Sequence, residues 1–120
     1  MGKAMQFQQL EVWQEAHKLV LMVYQVTKEF PSEERFGLVA QMRRAAISIP
    51  ANIAEGFKRR GTQEKIRFYN ISEGSLEELK YFFILSKDLG YISSAQELIT
   101  QAELVGRLLN GLIVSIERRK

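Results

Sequence analysis

Residues 43–56 read Arg-Arg-Ala-Ala-Ile-Ser-Ile-Pro-Ala-Asn-Ile-Ala-Glu-Gly, and the fold turns on how Pro50 is taken. Around it Val39, Met42, Ala46, Ile49, Ile53 and Phe57 recur at intervals of three and four, the helical period. Proline inside a helix deletes one backbone donor and crowds the carbonyl of Ala46, at a cost of about 3 kcal/mol. The apolar register nevertheless passes from Ile49 to Ile53 unchanged. The stretch therefore predicts one helix from about Phe36 to about Arg59, bent near Ala46–Pro50, rather than two short ones. Arg59-Arg60-Gly61 should end it, with cations favourable to the helix dipole and a glycine able to take the left-handed cap.

Three more helical stretches flank this one. Upstream, Val12, Ala16, Leu19, Val23, Val26 and Phe30 share one face as far as Pro31, and Ser32 with Glu33 and Glu34 suits the cap and first turn of the next helix. Downstream, Thr62 opens a stretch whose seam reads Phe68, Ile71, Ser75, Leu79, Phe82, Ser86 and Leu89, closed by Gly90. Ser94 and Glu97 have capping-box spacing ahead of a last seam of Leu98, Ala102, Val105, Leu109, Leu112 and Ile116. Short connections favour antiparallel neighbours. The expected fold is all-α: one domain over 1–120, an antiparallel up-down-up-down four-helix bundle with a Pro-kinked second helix.

Composition narrows the function. The 120 residues are 46% hydrophobic and 26% charged, with eight Gly and two Pro, a globular balance without the turn density of an all-β fold. The absence of Cys removes thiolate zinc sites, disulfides and Cys nucleophiles. One histidine, His17, leaves no Glu-x-x-His pair for a di-iron bundle and little His-based acid–base chemistry. Gly56 to Thr62 has P-loop spacing but no Lys after the second glycine, and it follows a helix, not a strand. No metal, cofactor or catalytic residue is expected, and the chain reads as a non-enzyme. Without a signal-peptide core or a long apolar run, it reads as cytoplasmic with no membrane partner.

Charge is unevenly placed. The net charge is +3, yet residues 43–67 hold seven cations (Arg43, Arg44, Lys58, Arg59, Arg60, Lys65, Arg67) against Glu55 and Glu64. The remainder is slightly acidic. Cations at a helix C-terminus suit the dipole, but Arg43 and Arg44 in mid-helix and Lys65 and Arg67 in a first turn do not. A patch of this kind fits RNA or single-stranded DNA held through phosphates. Phe57, Phe68 and Tyr69 are its only aromatics, and Phe57 and Phe68 fall in core register. No stacking platform, and hence little sequence preference, is expected.

Ser48, Asn52, Glu55 and Arg59 form a polar stripe on the second helix, facing Gly74, Ser75 and Glu78 on the third. Small residues there allow close approach, and Asn52 or Glu55 could bond across it or to the carbonyl that Pro50 frees. The stripe reads as a structural seam fixing register or subunit packing. Leu21, Met22, Tyr24, Phe83, Leu85, Leu104 and Leu108 lie off the main seams, an apolar excess that points to self-association.

Residues 43–56, with Glu73-Gly74-Ser75-Leu76-Glu77-Glu78 and the early Leu10-Glu11-Val12-Trp13-Gln14, carry a resemblance that runs from about Phe7 to Ile116. The chain resembles the bacterial four-helix-bundle proteins encoded in intervening sequences of 23S ribosomal RNA genes. More distantly it is similar to the accessory variability proteins of diversity-generating retroelements, which use a basic surface to bind nucleic acid and a reverse transcriptase. The resemblance implies a ring-like homopentamer. The expected function is a homo-oligomeric bundle binding RNA or single-stranded nucleic acid. The alternative is a protein-interaction scaffold or accessory factor for a polymerase or reverse transcriptase, with a protein partner.

Overall fold

Four helices carry the chain: α1 Glu11–Thr27, α2 Leu38–Lys58, α3 Thr62–Asp88 and α4 Gln96–Glu117. The computed structural model describes residues 4–119; Lys120 lies outside the described residues. Single 3-10 turns, Phe7–Gln9 and Ser32–Glu34, precede α1 and α2, and no strand is present among the described residues. Each helix packs on its neighbour in sequence, and α1 closes the ring against α4. The result is an all-α four-helix bundle. Its 47 Å long axis matches the roughly 40 Å that the 27 residues of α3 span at 1.5 Å per residue.

α2 is unbroken from Leu38 to Lys58, with Pro50 inside it and buried. Pro50 persists because the residues around it belong to the core: Ile49 and Ile53 have no exposed surface. The helix starts later than its spacing suggests. Ser32 sits in the 3-10 turn rather than capping α2; the first-turn donor of Leu38 goes instead to the Glu34 carboxylate at 3.2 Å. Tyr91, beyond α3, donates its hydroxyl to the other Glu34 oxygen at 2.8 Å, tying the two loops together at one end.

Two caps differ from expectation. Gly61 has φ −82°, an extended conformation ahead of α3, so α2 ends without a left-handed residue. The left-handed glycine is Gly90, φ +81°. There the Tyr91 N–H reaches the Ser86 carbonyl and the Gly90 N–H reaches that of Lys87, the Schellman closure of α3. At α4 the expected capping box is not formed: Ala95 is the N-cap, and the Ser94 hydroxyl accepts the Gln96 N–H at 3.1 Å.

α2 and α3 run antiparallel, as the pairs Arg44–Glu78, Ser48–Ser75 and Gly56–Tyr69 show by their opposed numbering. Together with the short loops this is consistent with the up-down-up-down order. The core is built from the expected seams of α1, α2 and α4, but α3 is rotated. Its buried residues are Tyr69, Ser72, Leu76, Leu79, Phe83 and Ser86, so Phe68, Ser75 and Phe82 flank the core while Ile71 and Leu89 are exposed. Two serines point inward on α3 while Ile71, Tyr81 and Ile84 point outward, which blurs the pattern that fixes a helix's phase. Ser72 is satisfied by the Ile49 carbonyl at 2.9 Å, and Ser86 lies 3.5 Å from the Met42 sulfur.

The rotation also redistributes the apolar surplus. Phe83 is core, while Met22, Tyr24, Leu85, Leu104 and Leu108 are half-buried beside the seams. Of that group only Leu21 is exposed; Phe36, Ile47, Ile71, Tyr81, Ile84 and Leu89 join it on the surface. α4 is long and apolar enough by composition to cross a membrane, although no continuous apolar run marks it in the sequence. Its Leu98, Ala102, Val105 and Leu109, however, are buried in the core, where α4 packs on α1 and α3.

Candidate nucleic-acid interface

The seven cations of 43–67 do not form one surface. Arg43 turns toward α1: its Nε donates to the Thr27 hydroxyl at 3.0 Å, its Nη2 to the Tyr24 carbonyl at 3.4 Å, and its guanidinium lies 4.4 Å from the Tyr24 ring centroid. That is a stitch between two helices. Arg44 pairs with Glu78 on α3 at 2.8 Å and also donates to Gln41. It stands about 21 Å of helix rise from Lys58.

The other five gather where α2 ends and α3 begins. Lys65 satisfies the open end of α2, donating to the Gly56 and Phe57 carbonyls at 3.2 and 2.7 Å. This explains a lysine in a first turn, where the dipole of α3 opposes it: the neighbouring C-terminus of α2 outweighs its own helix. Burial, and next the charge of Arg119, hold the Lys65 ammonium below its ordinary pKa. Arg59 pairs with Glu55 at 2.6 Å and Arg67 with Glu64 at 3.3 Å, both as exposed neighbours on one helix. The Arg67 hydrogen bond and charge lower the Glu64 pKa. Lys58 and Arg60 make no ion pair among the described residues and are exposed.

Aromatic rings underlie these cations. Phe68 is flanked by two guanidiniums, Arg59 at 4.8 Å and Arg67 at 4.5 Å from its centroid, and Lys65 lies 5.5 Å from Phe57. The expectation for the aromatics is thus reversed. Tyr69 is core, at 1% exposure, whereas Phe57 and Phe68 are half-buried under the charges. The C-terminal tail, set apart in sequence, joins this end: Arg119 shares a cavity with Lys65, Tyr69 and Phe57. Sequence proximity could not bring Arg119 here; only the antiparallel return of α4 does.

Part of the polar stripe is hydrogen-bonded across the helix contact. Ser75 donates to the Ser48 hydroxyl at 2.8 Å across the α2–α3 contact, and Asn52 donates to the Ser48 carbonyl and hydroxyl at 2.8 and 3.0 Å. Asn52 and Glu55 bond within α2, so neither takes the Ala46 carbonyl that Pro50 frees. Glu78 contributes through Arg44. Gly74 does not mediate close packing, since a Cβ there would meet nothing within 4 Å; that role belongs to Gly56. The adjacent carboxylates part company, Glu77 pairing with Lys80 and Glu78 with Arg44. Trp13 is half-buried and stacks on the exposed His17 ring at 5.1 Å. No cluster of three or more potential metal ligands occurs among the described residues.

The sequence pattern of 23S rRNA-intervening sequence proteins matches residues 8–111, which include the polar seam and every cation from Arg43 to Arg67. The chain belongs to that family. No curated protein matches it. In this 23S rRNA-intervening sequence protein the matched stretch covers α1 to α3 and most of α4, whereas Arg118 and Arg119 fall beyond it.

Proposed function

We propose that this protein is a non-enzymatic homo-oligomer, a pentamer by its family resemblance, that binds RNA or single-stranded nucleic acid through phosphate contacts at one end of the bundle. The observation that carries this reading is the convergence of Lys58, Arg59, Arg60, Lys65, Arg67 and Arg119 on that end, with Lys58 and Arg60 exposed and without an anionic partner among the described residues. Surface cations that neutralise phosphates release counterions, and this supplies sequence-independent affinity. The family's name ties it to ribosomal RNA genes, which agrees with an RNA ligand.

Self-association is supported by large apolar side chains outside the core, among them Leu21 and Tyr81, each 56% exposed, and Ile84. Five basic ends on one ring would act together, so modest single-site affinities multiply into avidity. Light scattering on the purified protein should give about five times 13.9 kDa; a monomer at micromolar concentration would refute the assembly. Purified in low salt, the protein should carry nucleic acid, seen as a raised 260/280 nm absorbance ratio that falls on washing with high salt.

The exposure of Phe36, 88%, favours a second reading: a protein-interaction scaffold or accessory factor for a polymerase or reverse transcriptase. That reading predicts a protein free of nucleic acid that instead retains a polypeptide partner, with retention lost in Phe36→Ala.

A further inference from the structure

At the basic end α2, α3, α4 and the segment before α1 leave a cavity of about 240 Å³ between them, lined by Leu10, Lys65, Tyr69, Leu112, Ile116 and Arg119 among others. One side is apolar, from Leu10, Leu112 and Ile116; the other carries two cations and a phenol. Tyr69 is otherwise buried, 1% exposed, and its hydroxyl makes no hydrogen bond among the described residues. No buried polar side-chain atom there is shut off from solvent without a partner, so that hydroxyl reaches the cavity rather than closed core. Lys65 uses two donors on α2 carbonyls and has a third left over.

We propose that this cavity binds the terminal nucleotide of an RNA strand, base against the apolar wall and terminal phosphate between Lys65, Arg119 and the Tyr69 hydroxyl. The proposal rests on the nucleic-acid reading above and adds to it a discrete site. Lys65 and Arg119 repel each other, and neither makes an ion pair among the described residues; an incoming phosphate relieves that repulsion. Burial raises the Tyr69 pKa to about 12, which keeps its hydroxyl protonated and a donor. Walls from three helices and the segment before α1 admit a chain end and exclude the middle of a strand. The volume is below the roughly 300–1,000 Å³ of pockets that enclose whole drug-sized ligands, so one base with its phosphate at the mouth is the limit. The walls given by Leu112, Ile116 and Arg119 lie beyond the family match, so this site is not read from the family.

The test uses the full chain and one single-stranded RNA of fixed sequence with a 5′-phosphate, a 3′-phosphate or hydroxyls at both ends, together with free adenosine monophosphate. At one salt concentration a terminal phosphate should tighten binding about tenfold, near 1.4 kcal/mol, and adenosine monophosphate should compete away that increment. Leu112→Trp, which fills the cavity, should erase the increment; an increment kept in full in that variant overturns the cavity site. Tyr69→Phe, which removes one hydroxyl and keeps the ring, should reduce the increment and guards against a folding failure in the first variant. Equal binding of phosphate-ended and hydroxyl-ended RNA overturns the cavity site and leaves the phosphate-contact reading intact. Binding of adenosine monophosphate, blocked by Leu112→Trp, without any binding of RNA overturns the phosphate-contact reading and leaves a nucleotide site. Failure to bind either ligand overturns both.

Discussion

Gly56 lies so close under Tyr69 that a Cβ at position 56 would sit 2.6 Å from the tyrosine Cε1. The ring cannot yield, because Tyr69 is buried in the core and cavity wall. Gly56→Ala gains about 1 kcal/mol of helix propensity but forces α2 and α3 apart, and overpacking of this kind costs about 1–3 kcal/mol. A net loss is expected, lowering the melting temperature by about 4–8 °C. Gly74→Ala, with open space around it, should raise the melting temperature instead.

Pro50 sets up the opposite balance. Pro50→Ala restores a donor for the Ala46 carbonyl, a gain of up to about 3 kcal/mol, and loses roughly two buried methylenes at about 0.8 kcal/mol each. The far-UV circular dichroism should be unchanged and thermal stability slightly higher. A change in the course of α2 should alter the proposed oligomer, which light scattering will report. Loss of helicity would mean that the proline is needed to form α2.

The charge readings of Arg43 and of Lys58 with Arg60 separate cleanly. Arg43→Ala removes a guanidinium stacked on Tyr24 and bonded to Thr27, so chemical denaturation should show a loss of about 1 kcal/mol with RNA affinity unchanged. Lys58→Gln with Arg60→Gln should do the reverse. Neither side chain makes an ion pair within the described residues, so stability holds while affinity falls.

The loops at the far end bring a pH dependence. The hydrogen bond to Glu34 raises the Tyr91 pKa above 10, and burial raises that of Tyr69 to about 12. Above pH 10 the unfolded chain releases protons that the folded chain retains, so stability falls with rising pH. The contribution is complete below pH 10 and is lost as pH passes the folded values. Melting temperatures measured from pH 9 to 12 should fall, and less steeply in Tyr91→Phe. An identical slope in that variant would show that Glu34 does not hold the Tyr91 proton.

The sequence shows the helices far better than it shows the site. Three seams are legible because Val, Leu, Ile and Ala repeat there without interruption. α3 is misphased because Ser72 faces inward, held by the Ile49 carbonyl of α2 that only the tertiary structure supplies, while Ile71 beside it faces out. The start of α2 is misplaced for a related reason: Glu34, not Ser32, supplies the side chain that Leu38 needs. For the candidate site, clustering in sequence overstates Arg43, which is consumed in a helix–helix contact, and Arg44, which pairs with Glu78 well away along α2 from the other five. It also understates Arg119, which reaches Lys65 only after three turns of the chain. Charge can be counted along a sequence, but whether a cation is already paired depends on which helix lies beside it.

The most direct measurement of the central claim is the affinity for a single-stranded RNA as a function of salt, for the parent and for Lys58→Glu, Arg59→Glu, Arg60→Glu combined. Each phosphate neutralised on a single strand contributes a slope of about −0.7 in log K against log salt. In the proposed ring, with a basic end on every subunit, the parent should show a slope of several units, and the triple variant should lose both affinity and slope while keeping its helicity. If the triple variant binds in low salt as tightly as the parent, the basic end of this bundle is not where RNA is held.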